Sequence, residues 1–233
     1  MDDWTKEKFW ERPPFDPAAV GDAHPEGIYL QVGRALTAWE QLEDDLGQFF
    51  SVLTHNGTTE THVLTKHLFG ITESSSQRLA MIRAALALYF GHYWENPRIY
   101  TPFKNVLKVV GWASHRRNEV AHGRIAGALV HRGGDSPTFS GHFLTAPSYA
   151  INRSKAFYGG DWPADDVLVV DRSLYRYRAD DIAVFEEKFV LLGAKTRELW
   201  MLAGRREHRL PAIVLDLAEK GTLLQPIGAK TSK

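Results

Sequence analysis

The chain contains no cysteine. That absence excludes disulfide scaffolds, thiolate nucleophiles and thiolate zinc sites in one step. It fits a reducing compartment, and a cytoplasmic location is expected. Long apolar runs are missing too. The nearest to one, Leu79 to Phe90, is interrupted by Arg83, short of the roughly 18 apolar residues that a membrane-spanning helix needs. No membrane partner is therefore expected. Met1 to Glu11 is charged and aromatic with no apolar stretch, so no secretory leader is read there. Net charge is also absent, because 28 Lys+Arg balance 28 Asp+Glu, whereas a broad nucleic-acid-binding surface tilts basic. There is no Gly-rich phosphate loop, no Gly-x-Ser-x-Gly and no His-Glu-x-x-His. P-loop NTPase, serine hydrolase and zincin chemistry are left without support.

What is present suits a globular protein. The 233 residues are 44% hydrophobic and 24% charged, enough to bury a core in one domain with an elaboration, or in one and a half domains. The zero net charge hides an asymmetry. Residues 1–50 hold 11 acids against 4 bases, and the remainder 17 acids against 24 bases. A locally basic site is therefore compatible with neutrality, and the acidic first segment can pair with it.

Pro13, Pro14, Pro17 and Pro25 make residues 1–26 an extended arm, with Trp4, Phe9 and Trp10 as anchors. Gly27 to Leu53 reads as a long helix, because Ile28, Val32, Ala35, Trp39, Leu42, Leu46, Phe49 and Leu53 recur three and four apart. His55-Asn56-Gly57 stops it. Glu60 to Phe69 is a shorter helix, ended by Gly70. Ser74 to Tyr93 is a third, with Ser74 and Gln77 spaced as a capping box. Thr101 to His122 is a fourth, with Pro102 in its first turn and Gly123 as its stop. Residues 124–177 are broken by glycine and proline. Val167 to Val170 and Leu174 to Tyr177 have strand character, which predicts a small β-hairpin or meander inserted before a fifth helix, Asp180 to Leu202. The expected organisation is an arm over 1–26, a helical bundle over 27–203 carrying the insertion 124–177, and a basic tail over 204–233. The fold class is mainly α, with about five helices and one β insertion.

The densest polar stretch on any predicted helix closes the fourth: Ser114-His115-Arg116-Arg117-Asn118-Glu119-Val120-Ala121-His122-Gly123-Arg124. One reading is structural, since cations at a helix C-terminus complement its dipole. The other is chemical. Arginine offers a permanent forked donor to phosphate, and histidine moves protons near neutrality. Arg117 and His122 stand as Arg-x4-His, and five residues leave them about 140° apart on an ideal helix. They meet over one substrate only if the helix end unwinds or a second chain completes the site. Asn118 and His122, four apart, share a face. With 17 Arg and 10 His in the chain, chance gives about 0.7 such pairs. The single match gains weight from its context: a long helix, its C-terminal end, an Asn after the Arg, and Ala-His-Gly closing it.

Arg117-Asn118-x-x-x-His122-Gly123 resembles the signature of HEPN domains, the α-helical bundles of many prokaryotic ribonucleases and of toxin–antitoxin and defence proteins. Trp39-x-x-Leu42-Glu43 is similar to the first long helix of bacterial HEPN-like proteins. The likeness covers the first four helices and loosely the last, and leaves out the insertion and both termini. It implies a helical bundle and a homodimer in which two motifs face one cleft over RNA, without a metal or other cofactor. It further implies His122 as the proton-transfer group on a ribose 2′-OH or leaving oxygen, and Arg117 as the stabiliser of transition-state charge. Asn118 would orient either the histidine or the phosphate, and Arg116, His115 and Arg124 would be auxiliary phosphate contacts. The products would be a 2′,3′-cyclic phosphate and a 5′-OH. Many proteins of this fold are instead non-catalytic partners, so a regulatory module bound to an antitoxin or a nucleotidyltransferase is the alternative.

Two further clusters have bland readings. Glu119-x-x-His122 has the spacing of a di-metal carboxylate motif, but no second Glu-x-x-His occurs. Glu40, Glu43, Asp44 and Asp45 form an acidic run on the first helix. It reads as a solvated face, with Glu43 or Asp44 paired to Arg116 or Arg117.

Overall fold

The computed structural model describes residues 4–14, 19–54, 58–91, 97–132, 138–147, 167–169 and 175–204. The predicted stop at 55–57, most of the glycine-rich insertion and the tail 205–233 lie outside them. The described chain is mainly α, with a small antiparallel sheet between its fourth and last helices. Its five α-helices are α1 (Glu26–Thr54), α2 (Thr59–Gly70), α3 (Ser75–Phe90), α4 (Pro97–His122) and α5 (Ala179–Gly204). Among the described residues, no helix is long and apolar enough to cross a membrane.

The apolar spacing explains α1, α2, α3 and α5, which fall close to their expected bounds. The α1 stripe buries Ile28, Ala35, Trp39, Leu42, Leu46, Phe49 and Leu53. Thr58 caps α2, its side chain accepting from the Thr61 N–H. Two local expectations need correction. Ser74 does occupy the N-cap of α3, but its hydroxyl makes no cap bond and meets Ser76 Oγ at 2.7 Å. The hydroxyl–hydroxyl bond replaces the capping box. At the other end Gly91 takes φ +52°, a left-handed conformation that suits glycine, and its N–H reaches the Ala87 carbonyl. In α4 the first-turn proline is Pro97, not Pro102. Pro102 lies inside the helix and is buried. It forgoes one backbone bond there, and burial of the neighbouring Phe103, Val106 and Leu107 offsets the loss.

The insertion is more regular than a lone hairpin. Strands β1 (Arg124–Arg132), β2 (Thr138–Thr145), β3 (Val167–Val169) and β4 (Arg176–Tyr177) form one sheet in the order β3-β1-β2-β4, every pair antiparallel. In the central pair Arg124 faces Thr145, Gly127 faces His142 and Leu129 faces Phe139, with a bulge between Ala128 and Leu129.

The N-terminal arm is not extended throughout. Glu7–Trp10 makes a 3-10 turn, and Trp4 and Trp10 are buried, joined by a 2.9 Å bond from Trp10 Nε1 to the Trp4 carbonyl. Asp22 forms an isolated bridge with His142. Its carboxylate also accepts the Ala179 N–H at 2.9 Å, at the start of α5.

The chain divides into two compact units. The first comprises Met1–Trp10, Ala38–Ser114 and Lys188–Lys233. Its core is aromatic: Trp39 packs edge-on to Phe189 at 5.3 Å, and Phe103 contacts both Phe49 and Phe90. The second comprises Glu11–Thr37 and His115–Glu187. It holds the sheet, and its core includes Ile28, Phe143, Tyr177, Ile182 and Phe185.

Candidate functional site

All six candidate residues belong to the second unit. Five lie on the last two turns of α4, and Arg124 opens β1. The helix stays α-helical through His122, so its end is not unwound. Arg117 and His122 keep their separation of about 140° around the axis.

The helix terminates by close approach. Gly123 donates its N–H to the Glu119 carbonyl at 2.9 Å. A Cβ at Gly123 would stand 2.8 Å from that carbonyl oxygen and from Leu144. Glycine is needed here for space.

Glu119 organises the site. One of its carboxylate oxygens, Oε1, accepts from Arg12 Nε at 2.9 Å and from Arg116 Nη2 at 3.0 Å. The other, Oε2, accepts the Tyr177 hydroxyl. The Glu119 backbone carbonyl accepts the Tyr175 hydroxyl at 2.9 Å. Tyr175 and Tyr177 are two apart, so they project from the same side of the chain, and their rings stack at 4.7 Å. Arg12 lies over the Tyr175 ring. The side chains of Glu119 and Arg116 are each 12% exposed, a burial at which an ionised carboxylate needs this many partners.

Electrostatics follow from the cluster. Burial pushes the Tyr177 hydroxyl well above the ordinary tyrosine value, and the hydrogen bond to Glu119 and the carboxylate's charge push it further, against the opposing pull of Arg116 and Arg12. Burial opposes the charge on Arg12, but its bond to Glu119 and the carboxylate's charge more than compensate, so its pKa is raised.

The remaining candidates sit around this anchor. Arg117 Nη1 donates to Asn118 Oδ1 at 3.1 Å. Asn118 lies about 40° from His122 around the helix axis, so the bond draws the guanidinium toward the face the histidine occupies. His115, Asn118, His122 and Arg124 are exposed, and Arg117 is half-buried. The structure thus brings Arg117 and Asn118 together, whereas Arg116 is held by Glu119.

Nothing in the linear pattern marks Glu119 as the hub, because its partners Arg12, Tyr175 and Tyr177 are distant in sequence. The one available signal is the alternation of Tyr175 and Tyr177. Glu43 meets Arg78 and accepts the Trp39 indole N–H at 2.9 Å, and Asp44 meets Lys66 at 2.7 Å. Each of these acids finds a cation within the first unit.

Among the described residues, no group of three or more His, Asp or Glu side chains gathers as a metal site. Glu119, the acid of the Glu-x-x-His spacing, is surrounded by cations and a phenol instead. Comparison with protein-family models, with curated proteins and with solved structures finds no match.

Proposed function

We propose that the chain is a HEPN-like endoribonuclease of the toxin or defence type, acting as a homodimer in the cytoplasm. The observation that carries this reading is the charge state of the α4 end. Its single carboxylate, Glu119, is neutralised by Arg12 and Arg116, while His122 and Arg124 remain exposed beside the linked Arg117 and Asn118. An incoming phosphodiester meets cations and a histidine there, and the helix end's own carboxylate is compensated.

In this mechanism His122 takes the proton of a ribose 2′-OH as that oxygen attacks the adjacent phosphorus. The bond from phosphorus to the 5′ oxygen breaks, and the leaving oxygen takes a proton from water. The fragments end in a 2′,3′-cyclic phosphate and a 5′-OH. Arg117 stabilises the charge that builds on the phosphoryl oxygens, and Asn118 orients the guanidinium. No metal is required for these steps. A second copy, facing the first across the cleft, supplies the groups that a straight helix holds apart. The 2′-OH requirement restricts the substrate to RNA.

The test is cleavage of a mixed RNA pool, with EDTA present, by wild type and by His122→Ala. Cyclic-phosphate ends from the wild type alone support the nuclease. Absence of cleavage by both favours the second reading, a non-catalytic module that binds an antitoxin or a nucleotidyltransferase. One observation suits that reading: Val63, Leu64, Leu68 and Ile71 are all exposed along and just beyond α2, the kind of apolar surface that partners cover.

A further inference from the structure

Gly21 and Gly141 mark a place where two backbones nearly touch. Gly21 donates its N–H to the Ser140 carbonyl at 2.7 Å, and Asp22 and His142 exchange backbone bonds at 3.0 and 2.8 Å. A Cβ on Gly141 would lie 2.6 Å from the Gly21 carbonyl carbon, and Gly141 has φ +115°. Side chains are excluded from this crossing. Beside it opens a cavity of about 490 Å³ lined by Val20, Gly21, Ala23, Thr138, Phe139, Ser140 and Gly141.

Its aromatic wall is fixed in place. The Phe139 ring lies over Gly127, where a Cβ would meet ring carbon Cε2 at 2.8 Å. His142 packs edge-on against the ring at 5.1 Å. Yet Phe139 is 54% exposed. An exposed ring held by its neighbours loses little freedom when another ring stacks on it. The other walls are formed by Val20, Gly21, Ala23, Thr138, Ser140 and Gly141, so the exposed ring is the flat surface that the cavity offers.

We infer that this cavity receives a nucleobase of a single-stranded RNA, stacked on Phe139. The cavity lining carries no charged side chain, and it is the exposed Arg124 and His122 along the chain that favour a polyanion over a peptide. Phe139 faces Leu129 on β1, and β1 begins at Arg124, directly after His122 and Gly123. The five steps from Arg124 to Leu129 cover about 17 Å of strand, so a short nucleic-acid strand with its phosphates at the α4 end reaches the ring with a base. Stacking on an aromatic side chain tolerates any base, and the site selects unpaired RNA without selecting a sequence. This inference rests on the reading of the α4 end as a phosphodiester site.

The experiment uses a short 2′-O-methyl oligoribonucleotide, which cannot be cleaved through its 2′ oxygen, and an abasic strand of equal length. Binding of both to the full chain is measured by fluorescence anisotropy. The wild type binds the base-bearing strand on the order of tenfold more tightly than the abasic one. Phe139→Ala binds both at the abasic level, and Phe139→Trp restores the preference. Phe139→Leu, which keeps an apolar side chain over Gly127, loses the preference while retaining the wild-type circular dichroism spectrum. Equal binding of both strands by the wild type, or an undiminished preference in Phe139→Ala, overturns the inference and leaves the phosphodiester reading standing. Failure of the wild type to bind either strand overturns both.

Discussion

Two charged runs on two helices of this protein resolve in opposite ways. The acidic run of α1 is settled one to one: Glu43 with Arg78, Asp44 with Lys66, and Asp45 with Arg197 through two bonds at 2.9 and 3.2 Å. Each of these three acids has its own cation, and the pairs lie within one compact unit. The run at the end of α4 converges instead. Arg12, Arg116 and Tyr177 all turn to the single carboxylate of Glu119, and His115, Asn118, His122 and Arg124 stay on the surface. Dispersed pairing accounts for Glu43, Asp44 and Asp45. Convergence on one acid leaves a surplus of basic groups at a helix end, which is what an anion-binding site requires.

The comparison breaks most sharply at His122. His122→Ala is expected to lower RNA cleavage by a factor on the order of 10²–10⁴. Its melting temperature should stay that of the wild type, since the side chain is exposed. A fall in melting temperature matching the loss of activity would return the α4 end to a structural role.

The next largest effect belongs to the hub. Glu119→Ala leaves the Arg116 and Tyr177 donors buried without their acceptor, which should cost about 3 kcal/mol in urea unfolding. Loss below about 1 kcal/mol would mean that the convergence is incidental.

Tyr177→Phe deletes one donor to a charged acceptor and should cost about 1.5 kcal/mol at neutral pH. It also carries a pH signature. The folded-state pKa of Tyr177 is raised above the ordinary value of 10.0. Its contribution is therefore fully present below that pH and declines as pH rises above it. Wild type should lose stability more steeply than Tyr177→Phe above pH 10 in urea melts, and parallel curves would contradict the assignment.

The smallest effect sharpens the other side of the comparison. Asp44 and Lys66 form an exposed pair, with side chains 55% and 38% accessible. Asp44→Ala should change stability by no more than about 0.5 kcal/mol. A larger loss would show that the α1 run is coupled and not a set of independent pairs.

The helices were legible because a buried helical face writes itself at spacings of three and four. The Trp39, Leu42, Leu46 and Phe49 stripe and the Phe185, Phe189 and Leu192 stripe are read directly from the chain, and all are buried. The sheet was only half legible. Gly127, Gly141 and the bulge at Ala128/Leu129 interrupt the alternation that marks a strand, so β1 and β2 do not stand out while Val167–Val169 does. The Ser74–Gln77 spacing misled because a nearby hydroxyl competed for Ser74 Oγ. Pro102 misled because an interior proline is permitted where packing outweighs one missing backbone bond.

By itself, the sequence determined the mainly α class, the helix stripes, the stop at Gly123 and the concentration of Arg, Asn and His at the end of α4. These are local properties, set by spacing along one chain segment. Only the tertiary structure decided which cation meets which acid. It brought Arg12 and Tyr177 to Glu119, sent Glu43 to Arg78, and set Gly21 against Gly141 beside an exposed Phe139. Ion pairs and close backbone approaches join residues far apart in the chain, and their choice follows from packing, which no spacing rule encodes.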